Sequence, residues 1–335
     1  MCYAPILIPT LCRDEHFIRC IESLKKNTWA KYTDVYVALD YPIKSSHWNG
    51  YNKILKYLEE DFTEFHAFHV IKRTYNFGAH NNVADARNKI LKKYDRFIYT
   101  DDDCEFSPNF LKYINLCLEK YEDDESVLGV TGYSYPVKWE INPEYNAFKS
   151  SLIFPMWGTA FWRDKFNKMS CELENDYIAE HVRHNSIKRE NMTDARYVDS
   201  MNFALNYEST LNKSATDVAC GCYIQFKHKY VINPVISMVR NYGFDGSGEW
   251  CPNTNEEEDS NCHALKYDYR TQNIDTSQDV KLKVCEDYDF ESNRDILNSF
   301  DSREEKIIKS CERKIKIQKI LGKRIYKFLW EKKHK

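Results

Sequence analysis

Over the first 130 residues the apolar positions switch between two periods. Ala4–Leu11 is a continuous apolar run, the profile of a strand buried on both faces. Asp34–Leu39, Phe65–Arg73, Arg96–Thr100 and Val127–Thr131 read as further strands. Between them, Phe17, Cys20, Ile21 and Leu24 set a helical period over His16–Lys26, and Val83, Ala86, Ile90 and Leu91 do so over Asn81–Lys93. Tyr51–Leu58 and Phe110–Tyr121 are read as helices too, the second with Ser107-Pro108 as its cap and first position. Strands alternating with helices predict βαβ units, hence an α/β fold with a mostly parallel sheet. Ligands of such sheets bind beyond the carboxyl ends of the strands. Arg13, Asp40 and Asp101–Asp103 all fall there.

After Tyr133 the pattern loosens into Pro- and aromatic-rich segments with shorter strands, and Glu256–Asp259 reads as a solvated acidic loop. Residues 1–300 are therefore taken as one unit with two lobes, 1–132 and 133–300, followed by a tail, 301–335. The tail opens on Ser302-x-x-Glu305, a capping-box pattern. Apolar residues recur from Ile307 to Leu329, and the chain closes on Trp330 and Lys332-Lys333-His334-Lys335. It reads either as a basic amphipathic helix lying on an anionic membrane surface or as a helix packed on its own domain with a solvated basic face.

Charge sharpens that contrast. The 335 residues carry a net charge of -3, but residues 301–335 hold 13 Lys or Arg against 5 Asp or Glu, a local +8 that leaves -11 for residues 1–300. The molecule as a whole is thus no electrostatic binder of nucleic acid. Hydrophobic residues at 42% and aromatics at 15% supply a sizeable core and exclude intrinsic disorder. No apolar run reaches the length of a membrane span. Met1–Pro9 has no basic start and too short an apolar stretch for a signal peptide, so a cytoplasmic location with reduced thiols is expected. None of the 12 cysteines stands at C-x-x-C spacing. Cys220 and Cys222, read as one face of a strand, could meet Cys251 and Cys262-His263 at a zinc ion. The spacings match no common site, and small core residues are the favoured reading.

The sharpest local feature is Tyr99-Thr100-Asp101-Asp102-Asp103-Cys104-Glu105. Three successive carboxylates at a strand end repel one another, and a hard divalent cation with its own anionic ligand would neutralise them. Mg2+ or Mn2+ typically takes one or two protein carboxylates plus phosphate oxygens, which suits a diphosphate. An acidic turn before the next helix is the plainer alternative. No G-x-G-x-x-G follows the first strand and no G-x-x-x-x-G-K-[ST] occurs, so neither a dinucleotide fold nor a P-loop is supported.

Pro5-Ile-Leu-Ile-Pro-Thr-x-x-Arg13, Ala38-Leu39-Asp40 and Ile98-Tyr-Thr-Asp-Asp-Asp-Cys-Glu-Phe-Ser-Pro-Asn-Phe110 together resemble nucleotide-sugar glycosyltransferases of the GT-A fold. The likeness is to the inverting N-acetylglucosaminyltransferases that begin N-glycan branching and to bacterial family-2-like sugar transferases. It continues through Asn76-x-Gly78, Ala86-Arg87-Asn88, Trp157–Trp162, Val198-Asp199-Ser200 and Asn241–Gly248, over roughly residues 4–250. The resemblance implies a Rossmann-like nucleotide-binding half (1–132), an acceptor-side half (133–300), and transfer of a sugar from a UDP-sugar such as UDP-GlcNAc to a hydroxyl of a glycan. Thr10, Arg13, Asp40 and Arg87 would line the nucleotide site, with Asp40 on the base. Asp101 and Asp102 would meet the ribose and sugar, and Asp103 would ligate Mn2+ or Mg2+. Trp157 and Gly158 would shape the donor and acceptor pocket, Asn241–Gly248 would close over the nucleotide, and Asp199 would be the general base, with Asp194 as the alternative. Where related bacterial sequences carry a Trp and a His, this chain has Met201 and Trp250, and His263 would be the substitute metal ligand. A nucleotidyltransferase or a catalytically silent carbohydrate-binding relative are the other readings. The implied partners are the nucleotide-sugar, the glycan acceptor and, through the tail, a membrane face.

Overall fold

The computed structural model describes residues 3–173, 177–184, 187–205, 217–248, 253–254, 263–277, 279–322, 325–326, 328 and 332. Trp250, Cys251, Cys262, the 256–259 acidic run, the side chain of His263, Trp330 and residues 333–335 lie outside the described residues. The chain divides into two compact units, residues 1–166 with 230–288, and residues 167–229 with 289–335.

The first unit is built on a sheet. Its strands are β1 (Ile6–Thr10), β2 (Asp34–Leu39), β3 (Ala67–Lys72), β4 (Arg96–Tyr99), β6 (Val127–Thr131), β7 (Ala147–Ser150), β8 (Thr159–Trp162), β9 (Tyr230–Pro234) and β11 (Val284–Cys285). Their spatial order is β11-β7-β9-β6-β8-β4-β1-β2-β3. A separate ribbon pairs β5 (Cys104–Phe106) with β10 (Val239–Asn241) antiparallel. Five of the eight neighbouring pairs in the large sheet are parallel, and β8 runs antiparallel to both its neighbours. The mixed α/β fold with a mostly parallel sheet is therefore the one expected.

Helices α1 (Asp14–Lys25), α2 (His47–Tyr57), α3 (Ala79–Leu91) and α4 (Phe110–Lys120) connect the early strands. Each starts or ends within four residues of the position that its apolar period predicts. Ile6 and Ile8 of β1 join one buried cluster with Val35, Val37 and Leu39 of β2 and with Phe17, Cys20, Ile21 and Leu24 of α1. Fully burying an aliphatic side chain of this size stabilises the fold by about 1.5–3 kcal/mol. Leu7 and Ala38 alternate with these and are also fully buried, as strands covered on both faces require. The cap of α4 is Asn109, not Ser107; Ser107 instead closes a turn in which its carbonyl accepts from the Phe110 N–H at 3.0 Å.

The second unit is helical: most of α5 (Arg163–Leu173), then α6 (Tyr177–Arg183), α7 (Asp194–Leu205), α8 (Asp217–Phe226), α9 (Phe290–Phe300) and α10 (Glu305–Leu321). The Asp289 carboxylate caps α9 by accepting from the Ser292 N–H at 2.7 Å. Helix α10 begins after Glu304 with no side-chain cap bond, so the Ser302/Glu305 capping box does not form. Cys220 and Cys222 lie in α8, not in a strand, and both are fully buried. Helical residues two apart do not face one another. Among the described residues no three His, Cys, Asp or Glu side chains gather as a metal site, and no helix is long and apolar enough to cross a membrane.

Candidate functional site

The carboxyl ends of β1, β2 and β4 meet at one edge of the sheet. Parallel register sets Thr10 beside Leu39, and the Asp40 N–H continues the ladder onto the Thr10 carbonyl at 2.9 Å. Beyond β4 the chain turns through Asp101-Asp102-Asp103 and re-enters order as β5. Asp102 and Asp103 are buried. The Thr10 hydroxyl donates to Asp102 Oδ2 at 2.6 Å. Arg13, in the loop after β1, spans both acids, pairing with Asp102 and reaching Asp103 Oδ2 through Nη1 at 2.8 Å. Tyr99 donates its hydroxyl to Asp101 Oδ1 at 2.7 Å.

The β5–β10 ribbon brings a distant segment to the same acids. Asn241 pairs with Cys104, and its Nδ2 lies 3.4 Å from Asp103 Oδ1. The Tyr242 N–H donates to the Asp103 carbonyl at 2.9 Å, and the Gly243 N–H to Asn241 Oδ1 at 2.7 Å. A Cβ at residue 243 would stand 2.1 Å from Asp103 Oδ2, so only glycine lets the backbone approach this carboxylate. Asp245 is tied to His16 Nε2 at 2.8 Å, which pins the following turn to α1.

The acids carry the electrostatic signature of this crowding. Burial, then the neighbouring Asp103 charge, push Asp101 up to about 7. Burial also raises Asp103, against the pull of Arg13. Burial works against the charge of Arg13, but the three aspartates outweigh it and hold the guanidinium protonated well above its ordinary range. One guanidinium faces three carboxylates, an excess of hard anionic oxygen that a divalent cation fits. Asp103 is the residue that would hold it.

Asp40 is buried and rigidly oriented. Its Oδ1 accepts from the Tyr41 and Phe77 N–H groups, each at 2.8 Å, while Asn76 Nδ2 approaches Oδ2 at 3.4 Å. Tyr41 and the exposed Trp48 meet edge-on nearby. A support that sequence reasoning missed lies behind this loop: buried Arg73 donates to Asn82 Oδ1 at 2.8 Å and to Asp85 at 2.5 Å, and Asn82 donates to the Ala38 carbonyl at 2.8 Å. No spacing rule marks it, because its members lie on two elements joined by a turn.

Arg87 lies on α3 with its guanidinium over the Phe166 ring. Trp157 packs edge-on against Tyr133, Phe244 and Tyr267. Gly158 has φ +66°, and a Cβ there would meet Phe110 at 2.8 Å.

Asp199 belongs to the second unit, on α7. Burial raises its pKa, opposed by the charges of Arg196 and Arg303. Asp194, the alternative base, is held by Arg189 through two hydrogen bonds at 2.7 and 2.9 Å at the start of the same helix. That bidentate pairing engages both carboxylate oxygens of Asp194. Met201 is a buried core residue of the second unit.

No family model and no curated protein matches this chain. Among solved structures, it is similar to the mannosyltransferase PcManGT from Pyrobaculum calidifontis in complex with GDP-Man and Mn2+, at 15% identity and a TM-score of 0.36, over 50% of this chain and 46% of that one. It is also similar to S. aureus TarS, at 11% identity and a TM-score of 0.33, over 67% of this chain and 52% of that one. A shorter TarS, 1-349, aligns at 15% identity and a TM-score of 0.33, over 61% of this chain and 56% of that one. The chain thus spans about half the length of the structures it resembles.

Proposed function

We propose that this chain is an inverting, metal-dependent glycosyltransferase of the GT-A type, moving a sugar from a UDP-sugar such as UDP-GlcNAc to a hydroxyl of a glycan. The observation that carries the reading is the Asp101–Asp103 run at the carboxyl ends of β1 and β4, bound by Arg13 and Thr10 and approached by the Gly243 backbone. Such a site has little use for a structural turn and a clear use for a diphosphate with its counterion.

In this reading Asp40 recognises the base. Two backbone N–H groups occupy Oδ1, and the loosely held Oδ2 remains to accept from a pyrimidine N–H. Thr10, Arg13 and Arg87 bind the nucleotide side, Asp101 and Asp102 the ribose and sugar, and Trp157 with Gly158 the sugar pocket. Asp103 is the cation's ligand, and a divalent cation there offsets charge growing on the departing diphosphate. Asp199 takes the proton of the acceptor hydroxyl while that oxygen attacks the anomeric carbon and the bond to the diphosphate breaks on the opposite face. A carboxyl whose pKa burial has raised is the better proton acceptor.

The test is calorimetric titration of UDP, GDP and CMP, each with and without Mn2+, on the wild type and on Asp103→Ala. Mn2+-dependent binding of UDP that Asp103→Ala abolishes is the expected result. Tight GDP or CMP binding would overturn the role of Asp40. No nucleotide binding at all would leave a carbohydrate-binding relative without catalysis.

A further inference from the structure

The tail left open by the sequence pattern is settled on one side: α10 does pack on its own unit. Ile308, Cys311, Ile315 and Gln318 are buried, spaced at i, i+3, i+7 and i+10 along one face. Gln318 Nε2 reaches the Ala204 carbonyl at 3.4 Å, Cys311 lies 3.5 Å from Asn202 Oδ1, and the Tyr197 hydroxyl donates to Glu312 at 3.2 Å, all on α7.

The opposite face has a composition that packing does not explain. Lys306, Lys309, Arg313 and Lys316 are all exposed and repeat at the same i, i+3, i+7, i+10 interval, half a turn away from the buried stripe. Lys306 pairs with Glu304 at 2.6 Å and Lys309 with Glu305 at 3.7 Å. Among the described residues, Arg313, Lys314 and Lys316 form no ion pair. Toward the chain end this basic stripe passes into exposed apolar side chains: Ile317 at 37% exposure, Ile320 at 83%, Ile325 at 56% and Phe328 at 63%. The same stretch of sequence also contains Lys323, Arg324, Lys327, Lys332, Lys333 and Lys335.

We infer that this outer face of α10, with Ile320, Ile325 and Phe328, docks on an anionic lipid surface. Charge complementarity selects the partner: residues 301–335 carry a net +8, opposite in sign to the rest of the chain. A soluble polyanion would use the cations but leave the isoleucines and the phenylalanine in water. A bilayer interface takes both, the lysine and arginine heads at the phosphates and the apolar groups at the acyl boundary. The inference is independent of the proposed transferase chemistry.

The experiment is flotation of the full-length protein with vesicles of phosphatidylcholine alone or mixed with phosphatidylglycerol, with soluble polyphosphate as competitor. Binding to the phosphatidylglycerol vesicles, lost as salt is raised, is expected. Arg313→Ala combined with Lys316→Ala weakens it roughly 20- to 30-fold, the worth of two surface cations. Ile320→Glu with Phe328→Glu abolishes it. All four side chains are exposed, so an unchanged melting curve keeps these variants interpretable. Equal binding to both vesicle types, no binding to either, or full displacement by polyphosphate together with indifference to Ile320→Glu and Phe328→Glu would each overturn the inference.

Discussion

The aspartates that follow β4 and the aspartate in the middle of α7 are all buried or half-buried, but their charge is balanced in opposite ways. After β4, three carboxylates share one guanidinium, and the charge on Asp103 helps push Asp101 up to about 7. In α7, Asp199 faces two arginines, Arg196 and Arg303, whose charges offset its burial, while Asp217 and Asp301 add a weaker opposing field. The first site is short of positive charge, and the role proposed for it is to hold a cation; at the second, burial outweighs the arginines and raises the pKa, and the role proposed for it is to take a proton. Anion excess and proton poise are different physical states of the same side chain, and the neighbouring arginines decide between them.

Removing the shared guanidinium breaks the comparison most severely. Arg13→Ala leaves Asp102 and Asp103 buried without a counter-charge and should lower stability by about 3–5 kcal/mol. The urea midpoint measures this, and added Mn2+ should recover part of the loss in the variant but little in the wild type. An unchanged midpoint would mean that the acids are already neutral. Asp199→Asn probes the other site. It should keep nucleotide affinity and lower transfer by roughly 10²- to 10⁴-fold, the usual worth of a general base; full activity would move the base elsewhere.

The smallest expected effect comes from a carboxylate shifted the other way. Partial burial works to raise Asp124, but the Ser126 hydroxyl and N–H, at 2.6 and 2.8 Å, and Lys149, at 3.0 Å, together pull it down to about 2. Its folded-state pKa is depressed, so its stabilisation is present above the unfolded value near 4 and fades as pH falls through 2. At this half-exposed site the contribution is about 1 kcal/mol or less. Asp124→Asn should therefore melt slightly lower than wild type at pH 7 and coincide with it near pH 2. A gap in melting temperature that persists at pH 2 would assign the effect to packing instead.

The two units differ in how far the chain announces them. Strands β1, β2, β4 and β6 are short, apolar and bounded by polar residues, so their edges fall within two residues of the pattern. The helices of residues 167–226 did not stand out. In α8, Ala219, Cys220, Gly221, Cys222, Tyr223 and Ile224 are all buried, and a helix apolar on every side has no 3.6-residue signal to read. That is why Cys220 and Cys222 looked like one face of a strand.

The linear order of residues was enough to place Arg13, Asp40 and the three aspartates at strand ends, because burial imposes period two on strands and their ends must carry the polar groups. It could not say that one arginine would span two of those acids, or that Asn241, 138 residues from Asp103, would lie against it with Gly243 beside it. Those contacts depend on the β5–β10 ribbon, and strand pairing at that separation leaves no local pattern. The same holds at the far end of the chain. Thirteen basic residues are countable in the tail, but which of them line the outer face of α10 follows only from the face that Ile308, Cys311 and Ile315 bury. Periodicity sets the spacing of side chains along an element, whereas the neighbour each face meets is chosen by the packing of the whole.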